Sequence, residues 1–176
     1  MILVEDPNGF LNPPKAREDL LRELATQFRV HDVNTQVIEQ ARVDKLQARS
    51  ADFDRMSVSR IGAAVGAEQV LYVFVVRFGL PLPGSAEQVY EVNVRVVNAK
   101  PSNLKDRKDV SLWPGTPGRG QRIEIRRPAS TSAQPTDAVE VSRAMAIALA
   151  DHIARCFYDV PTTPSSPASR QAYPSP

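Results

Sequence analysis

Residues 57–79 read SVSRIGAAVGAEQVLYVFVVRFG, and this stretch decides the fold. Ser57 suits a helix N-cap, because its hydroxyl can accept from an unpaired N–H of the first turn. Met56 and Ile61 stand where a hydrophobic staple would place them. Ile61, Ala64 and Val65 share one helical face, and Gly66 can take the left-handed conformation that stops a helix. Val70 to Val76 then form an unbroken run of β-branched, aliphatic and aromatic residues. Such a run predicts a strand covered on both faces, inside a sheet. A helix, a glycine and a buried strand make the αβ half of an α/β or α+β domain.

Outward from this unit, Gly79 to Ser85 reads as a turn too rich in proline to continue pairing. Tyr90, Val92, Val94 and Val96 alternate with Glu91, Asn93 and Arg95, so Gln88–Asn98 is a second strand with one packed and one wetter face. The two strands are predicted to form an antiparallel hairpin. Val110–Pro114 reads as a brief edge strand and Arg122–Arg126 as another, with a glycine-rich loop at 115–120. Residues 128–136 read as a linker of small residues.

Upstream, Ile2–Glu5 predicts a short buried strand, and Asp6-Pro7-Asn8-Gly9 a turn. Asn12 and Pro13 suit a helix start, with the helix running to about Phe28 and burying Leu20, Leu21, Leu24 and Phe28. A short strand is predicted near Gln36–Glu39, then one or two helical turns over 41–48. The last element is a long helix over 137–157, opened by Asp137 and Glu140 as a capping pair. Its predicted buried stripe is Val141, Met145, Leu149, Ile153 and Cys156, with Ala144 and Ala148 allowing close approach to a sheet. The fold class is therefore α/β (α+β). It has a mixed, mostly antiparallel sheet, two early parallel crossovers and helices packed mainly on one face. Residues 1–160 form one domain. The Pro- and Ser-rich residues 161–176 read as a disordered tail.

Composition narrows the function. The chain has 176 residues, 42% hydrophobic and 24% charged, as globular domains do. A net charge of +2 with dispersed basic residues argues against nucleic acid as the main partner. One cysteine allows no internal disulfide. No apolar run is long enough to span a membrane. No leader is visible, since Met1 runs straight into Ile2-Leu3-Val4. Membrane association is expected only through a lipid anchor upstream of Met1.

No motif carries chemistry. His152 reads as a boundary residue, and His31, at a helix exit, as a cap on the dipole. Cys156 reads as a small core hydrophobe. Asp44, Asp52 and Asp54 lack the glycine turn and terminal Glu of a calcium loop. Residues 114–120 lack the phosphate-loop lysine pattern. No catalytic residue, cofactor or metal site is assigned. The nearest thing to a binding surface is Trp113 with Arg119, Arg122 and Arg126, beside Arg127. An exposed Trp beside arginines suits an acidic partner or a glycan. The plainer alternative has Trp113 capping the sheet edge over solvated arginines.

The run Ile61-Gly62-Ala63-Ala64-Val65-Gly66-Ala67-Glu68-Gln69-Val70-Leu71, the strand ending Arg95-Val96-Val97-Asn98-Ala99, and Trp113 near a third strand carry a resemblance. Together they resemble the α/β domain of bacterial envelope proteins of the curli-secretion lipoprotein (CsgG) type and the amino-terminal domain of TolB. Glu68-Gln69 and Asn98 depart from the acidic residues of that pattern. The resemblance covers about residues 36–127 and implies an exported, envelope-associated, non-enzymatic protein acting through protein contacts. The expected location is the periplasm or outer membrane, with the cytoplasm as the alternative. The competing functional reading is a small-molecule- or nucleotide-binding module or enzyme, with a site at the strand ends after Gly66 or around Arg119.

Overall fold

The computed structural model describes residues 1–11, 14–33, 36–81, 84, 86–100, 110–115, 120–128 and 138–158. The expected Asn12 and Asp137 caps, Arg119, most of the 115–120 loop, the 129–136 linker and the 161–176 tail lie outside them.

Strand β1 (Ile2–Glu5) leads into helix α1 (Pro14–Val30), helix α2 (Gln40–Arg49), a 3-10 turn (Phe53–Arg55) and helix α3 (Val58–Ala64). Strand β2 (Gln69–Pro81) and strand β3 (Glu87–Asn98) follow, then β4 (Ser111–Trp113), β5 (Gln121–Pro128) and helix α4 (Ala138–Ala154). Four helices and a five-stranded mixed sheet make an α/β fold.

β2 lies inside the sheet, with β1 parallel on one side and β3 antiparallel on the other. Val70, Val73 and Val75 are fully buried. β4 and β5 both pair with β3: Trp113 stands opposite Val96 and Gln121 opposite Val94. The two short strands are thus one interrupted lane, split by the excursion between Trp113 and Gln121.

Alternation along the strands sorts the core into two faces. Ile2, Val4, Leu71, Val73, Val75, Val92, Val94 and Ile123 pack against the long helices α1 and α4. Met1, Leu3, Val70, Val97 and Ala99 pack against α2 and α3 on the other face. Close approach of α3 depends on Gly62, where a Cβ would lie 2.4 Å from Val70 Cγ2 and 2.8 Å from the Ala99 Cβ. Ser57 accepts from the Arg60 N–H at 3.4 Å, and Gly66, at φ +82°, ends α3. The Ala67 N–H reaches back to Gly62 O at 2.9 Å and the Gly66 N–H to Ala63 O at 3.1 Å, a Schellman closure.

Several expectations are corrected. No strand forms at 36–39, so β1–β2 is the only parallel pair among the described residues. β2 does not stop at Phe78. Gly79 adopts φ +73° beside a register shift between Phe78 and Leu80, and pairing runs on to Pro81 opposite Gln88. A bulge absorbs the extra residue that would otherwise have ended the ladder. Cover on both faces is complete only at the start of β2, because α2 and α3 are short. Tyr72 and Phe74, further along, are half-buried.

On α4 the buried residues are Ala146, Leu149, Ala150, Ile153 and Ala154. Cys156 and Ala144 are exposed instead. Cys156 lies past the end of α4, in the turn, and the buried residues follow the alternating three- and four-residue steps of a helix that repeats every 3.6 residues. At the end of α1 it is Asp32, at φ +52°, that turns the chain. The Val33 N–H closes onto Phe28 O at 2.9 Å. The His31 ring stacks on the Tyr158 ring, with centroids 3.7 Å apart.

Candidate interaction face and edge

Among the described residues α2 and α3 cover one end of their sheet face, and side chains of β2, β3 and β5 make up the other end. The alternating positions Glu87, Glu91, Asn93 and Arg95 of β3 lie on that face, with Val89 buried among them and Val97 under α3. Arg122 stands opposite Asn93, Glu124 opposite Glu91 and Arg126 opposite Val89, so all three share the face. From β2, Arg77 stands opposite Glu91 and Tyr72 opposite Arg95.

Charge alternates across this surface. Glu91 is buried, 7% exposed, and is held by Arg122 Nε at 2.9 Å and Arg77 Nε at 3.9 Å. Glu124 is bridged by both Arg122 and Arg126. The hydrogen bond from Arg126, with the neighbouring guanidinium charges, holds the Glu124 carboxyl below the usual carboxylate range. Arg126 also approaches Glu87 at 3.8 Å. The Arg95 guanidinium lies 4.8 Å from the centre of the Tyr72 ring, whose hydroxyl donates to Glu5. Arg77, Arg122 and Arg126 are each matched by a glutamate and Arg95 by a ring, so the surface is polar and mixed in charge rather than strongly basic.

Trp113 is elsewhere. It faces α1 and α4, with its ring centroid 4.8 Å from that of Phe157, which meets Phe28 edge-on at 5.6 Å. Trp113 and the arginines Arg122 and Arg126 therefore occupy opposite faces of one lane. Arg119 lies outside the described residues. Arg127, opposite Gln88, belongs to the Trp113 face. What joins Trp113, Arg122 and Arg126 is the edge of the sheet. β5 pairs with β3 along eight residues, and among the described residues no strand pairs with its outer side. Val110 and Leu112, along the same lane, are exposed at 45% each.

The sequence did not point to Asp19, which is 1% exposed on α1. It pairs with Arg22 of the same helix and with Arg143 Nε of α4 at 3.4 Å. The signal was its spacing of three from Ala16, which puts it beside the buried stripe. Cys156 is exposed on the turn after α4, and partial desolvation pushes its thiol pKa up, away from thiolate reactivity. The His152 ring lies 2.9 Å from Ala148 O. A cleft of about 840 Å³ lies where β2 begins, lined by Gln36, Glu39, Arg42, Gly66, Glu68 and Gln69 among others. A second, of about 580 Å³, sits beyond Glu5 and Asp6, with Arg17 and Asp54 in its wall. Among the described residues no group of three His, Cys, Asp or Glu side chains could hold a metal ion.

Two solved structures are similar in overall arrangement. The hypothetical protein CT253 from Chlamydia trachomatis is 11% identical, with a TM-score of 0.46 over 89% of this chain and 88% of that one. The lipoprotein GNA1162 from Neisseria meningitidis is 17% identical, with a TM-score of 0.46 over 88% of this chain and 94% of that one. No protein-family model and no curated protein matches the chain. No described helix is long and apolar enough to cross a membrane.

Proposed function

We propose that the protein is a non-catalytic interaction module of the bacterial cell envelope, working in the periplasm or at the outer membrane. It makes protein–protein contacts through the open face of its sheet and the β5 edge. The observation that carries this reading is β5 itself: eight residues paired on one side only, among the described residues, beside a face of alternating charge. Such an edge is a template for strand addition, in which backbone hydrogen bonds give affinity and alternate side chains give specificity. Envelope placement is supported by the sequence resemblance over 36–127, whose helix, glycine and hairpin are α3, Gly66, β2 and β3. A nucleic acid partner fits poorly, because the arginines of this face alternate with glutamates instead of forming a continuous basic patch.

The test is a pull-down from envelope extract of the native host. The wild-type chain and an Arg122→Glu, Arg126→Glu variant serve as baits. A protein retained by the first and lost by the second supports the reading. No retained protein, or equal retention, contradicts it.

The cleft at Gly66–Gln69 favours a second reading, a small-molecule site. A thermal-shift screen against nucleotides and small acids tests it. A saturable rise in melting temperature abolished by Arg42→Ala supports that site, and no shift removes it.

A further inference from the structure

We propose that the outer edge of β5 pairs with β5 of a second copy of this chain, antiparallel, across a two-fold axis at Ile123. The inference rests on the reading of β5 as a contact edge and names the partner. It follows from the charge sequence. Arg122, Glu124 and Arg126 alternate on the open face of one strand, half-exposed arginines on either side of the acid. With the axis at Ile123, Arg122 of each copy stands opposite Glu124 of the other, and symmetry makes two such pairs. Opposite charges directly across an antiparallel pair stabilise it and like charges oppose it.

Alternative registers are worse. An axis at Glu124 sets the two glutamates against each other and each Arg122 against an Arg126. An axis at Ile125 also makes two Arg–Glu pairs, Glu124 against Arg126, but it sets Arg122 against Pro128, which has no N–H for the ladder, and the charged Arg127 against the apolar Ile123. On the other face, the Ile123 axis places Ile123 against its own copy and Ile125 against Gln121. A second copy thus continues the sheet with two Arg–Glu pairs across the new ladder, while Arg126 falls opposite Gly120, just before β5 begins. The other end of the sheet offers nothing comparable, since β1 is four residues long.

Sedimentation velocity on the purified chain, from micromolar to hundreds of micromolar, tests this. The wild type is expected to dimerise. Glu124→Arg is expected to weaken dimerisation by about tenfold or more, with unchanged circular dichroism. Arg122→Glu with Glu124→Arg restores it, because the opposed charges are exchanged together. The same swap still sets a guanidinium beside Glu91, which position 124 faces across the ladder. Arg126→Glu with Glu124→Arg does not restore it. Should the Glu124→Arg chain not fold, oxidation of Arg122→Cys chains mixed with Glu124→Cys chains, both carrying Cys156→Ser, decides instead. A 122–124 disulfide between copies supports the pairing, and its absence overturns it. A wild type that stays monomeric, or a dimer indifferent to Glu124→Arg, also overturns it. A monomer that still captures an envelope protein through β5 sinks only this pairing. A dimer that captures nothing sinks only the broader reading.

Discussion

The indole of Trp113 lies 4.8 Å from the ring of Phe157, at 55°, and so ties the β4–β5 lane to the turn after α4. Its role is packing. Trp113→Ala removes a large, partly buried ring from the α1–α4 face. Full truncation of a buried aromatic costs about 3–5 kcal/mol, so this half-buried one is expected to cost about 2 kcal/mol by urea denaturation. Partner capture in the pull-down should survive, since the arginines lie on the other face.

Asp19 sits between α1 and α4 with a guanidinium from each helix. Arg22→Ala or Arg143→Ala alone leaves it one partner and is expected to cost about 1 kcal/mol, as half-exposed pairs do. Removing both leaves a buried carboxylate unpaired, with an expected cost of about 3 kcal/mol or more. A double-mutant cycle by urea denaturation checks the non-additivity.

Gly62→Ala sets two effects against each other. Helix propensity gains about 1 kcal/mol. The new Cβ would lie 2.4 Å from Val70 Cγ2, inside a fully packed layer, and overpacking costs about 1–3 kcal/mol. The net expectation is destabilisation of about 1 kcal/mol. Adding Val70→Ala should make the Gly62→Ala step less costly, a coupling measurable by thermal melts.

Burial pushes the Tyr90 phenol above its ordinary value of 10.0, partly offset by the Arg127 charge. The unfolded chain therefore releases this proton at a lower pH than the folded one. Above about pH 10 the unfolded state binds fewer protons, so stability falls as pH rises. Tyr90→Phe should flatten that alkaline limb in melts between neutral pH and pH 11 while leaving the acid side unchanged.

Much of the fold was legible because local and tertiary signals agreed. Ser57, Gly66 and the apolar run after it each point to the same helix, stop and strand. The alternation from Tyr90 to Val96 fixes which face of β3 is packed. The segment 36–39 was misread because weak alternation carries no information about whether a neighbouring edge accepts pairing. The end of β2 was misread because a bulge at Gly79 is decided by the partner strand. The candidate site was half legible. Arg122 and Arg126 do share a surface, but Trp113 does not, and only ladder register could show that. Asp19 was hidden because its second cation comes from a helix more than a hundred residues away.

β2 is the interior lane of the sheet, paired by β1 and β3, and amide hydrogen exchange tests this most directly. The amides of Val70, Leu71, Val73 and Val75 are expected to exchange only through global unfolding, far more slowly than those of Ser111–Trp113 on the edge lane. Exchange of the β2 amides at edge-lane rates would contradict it.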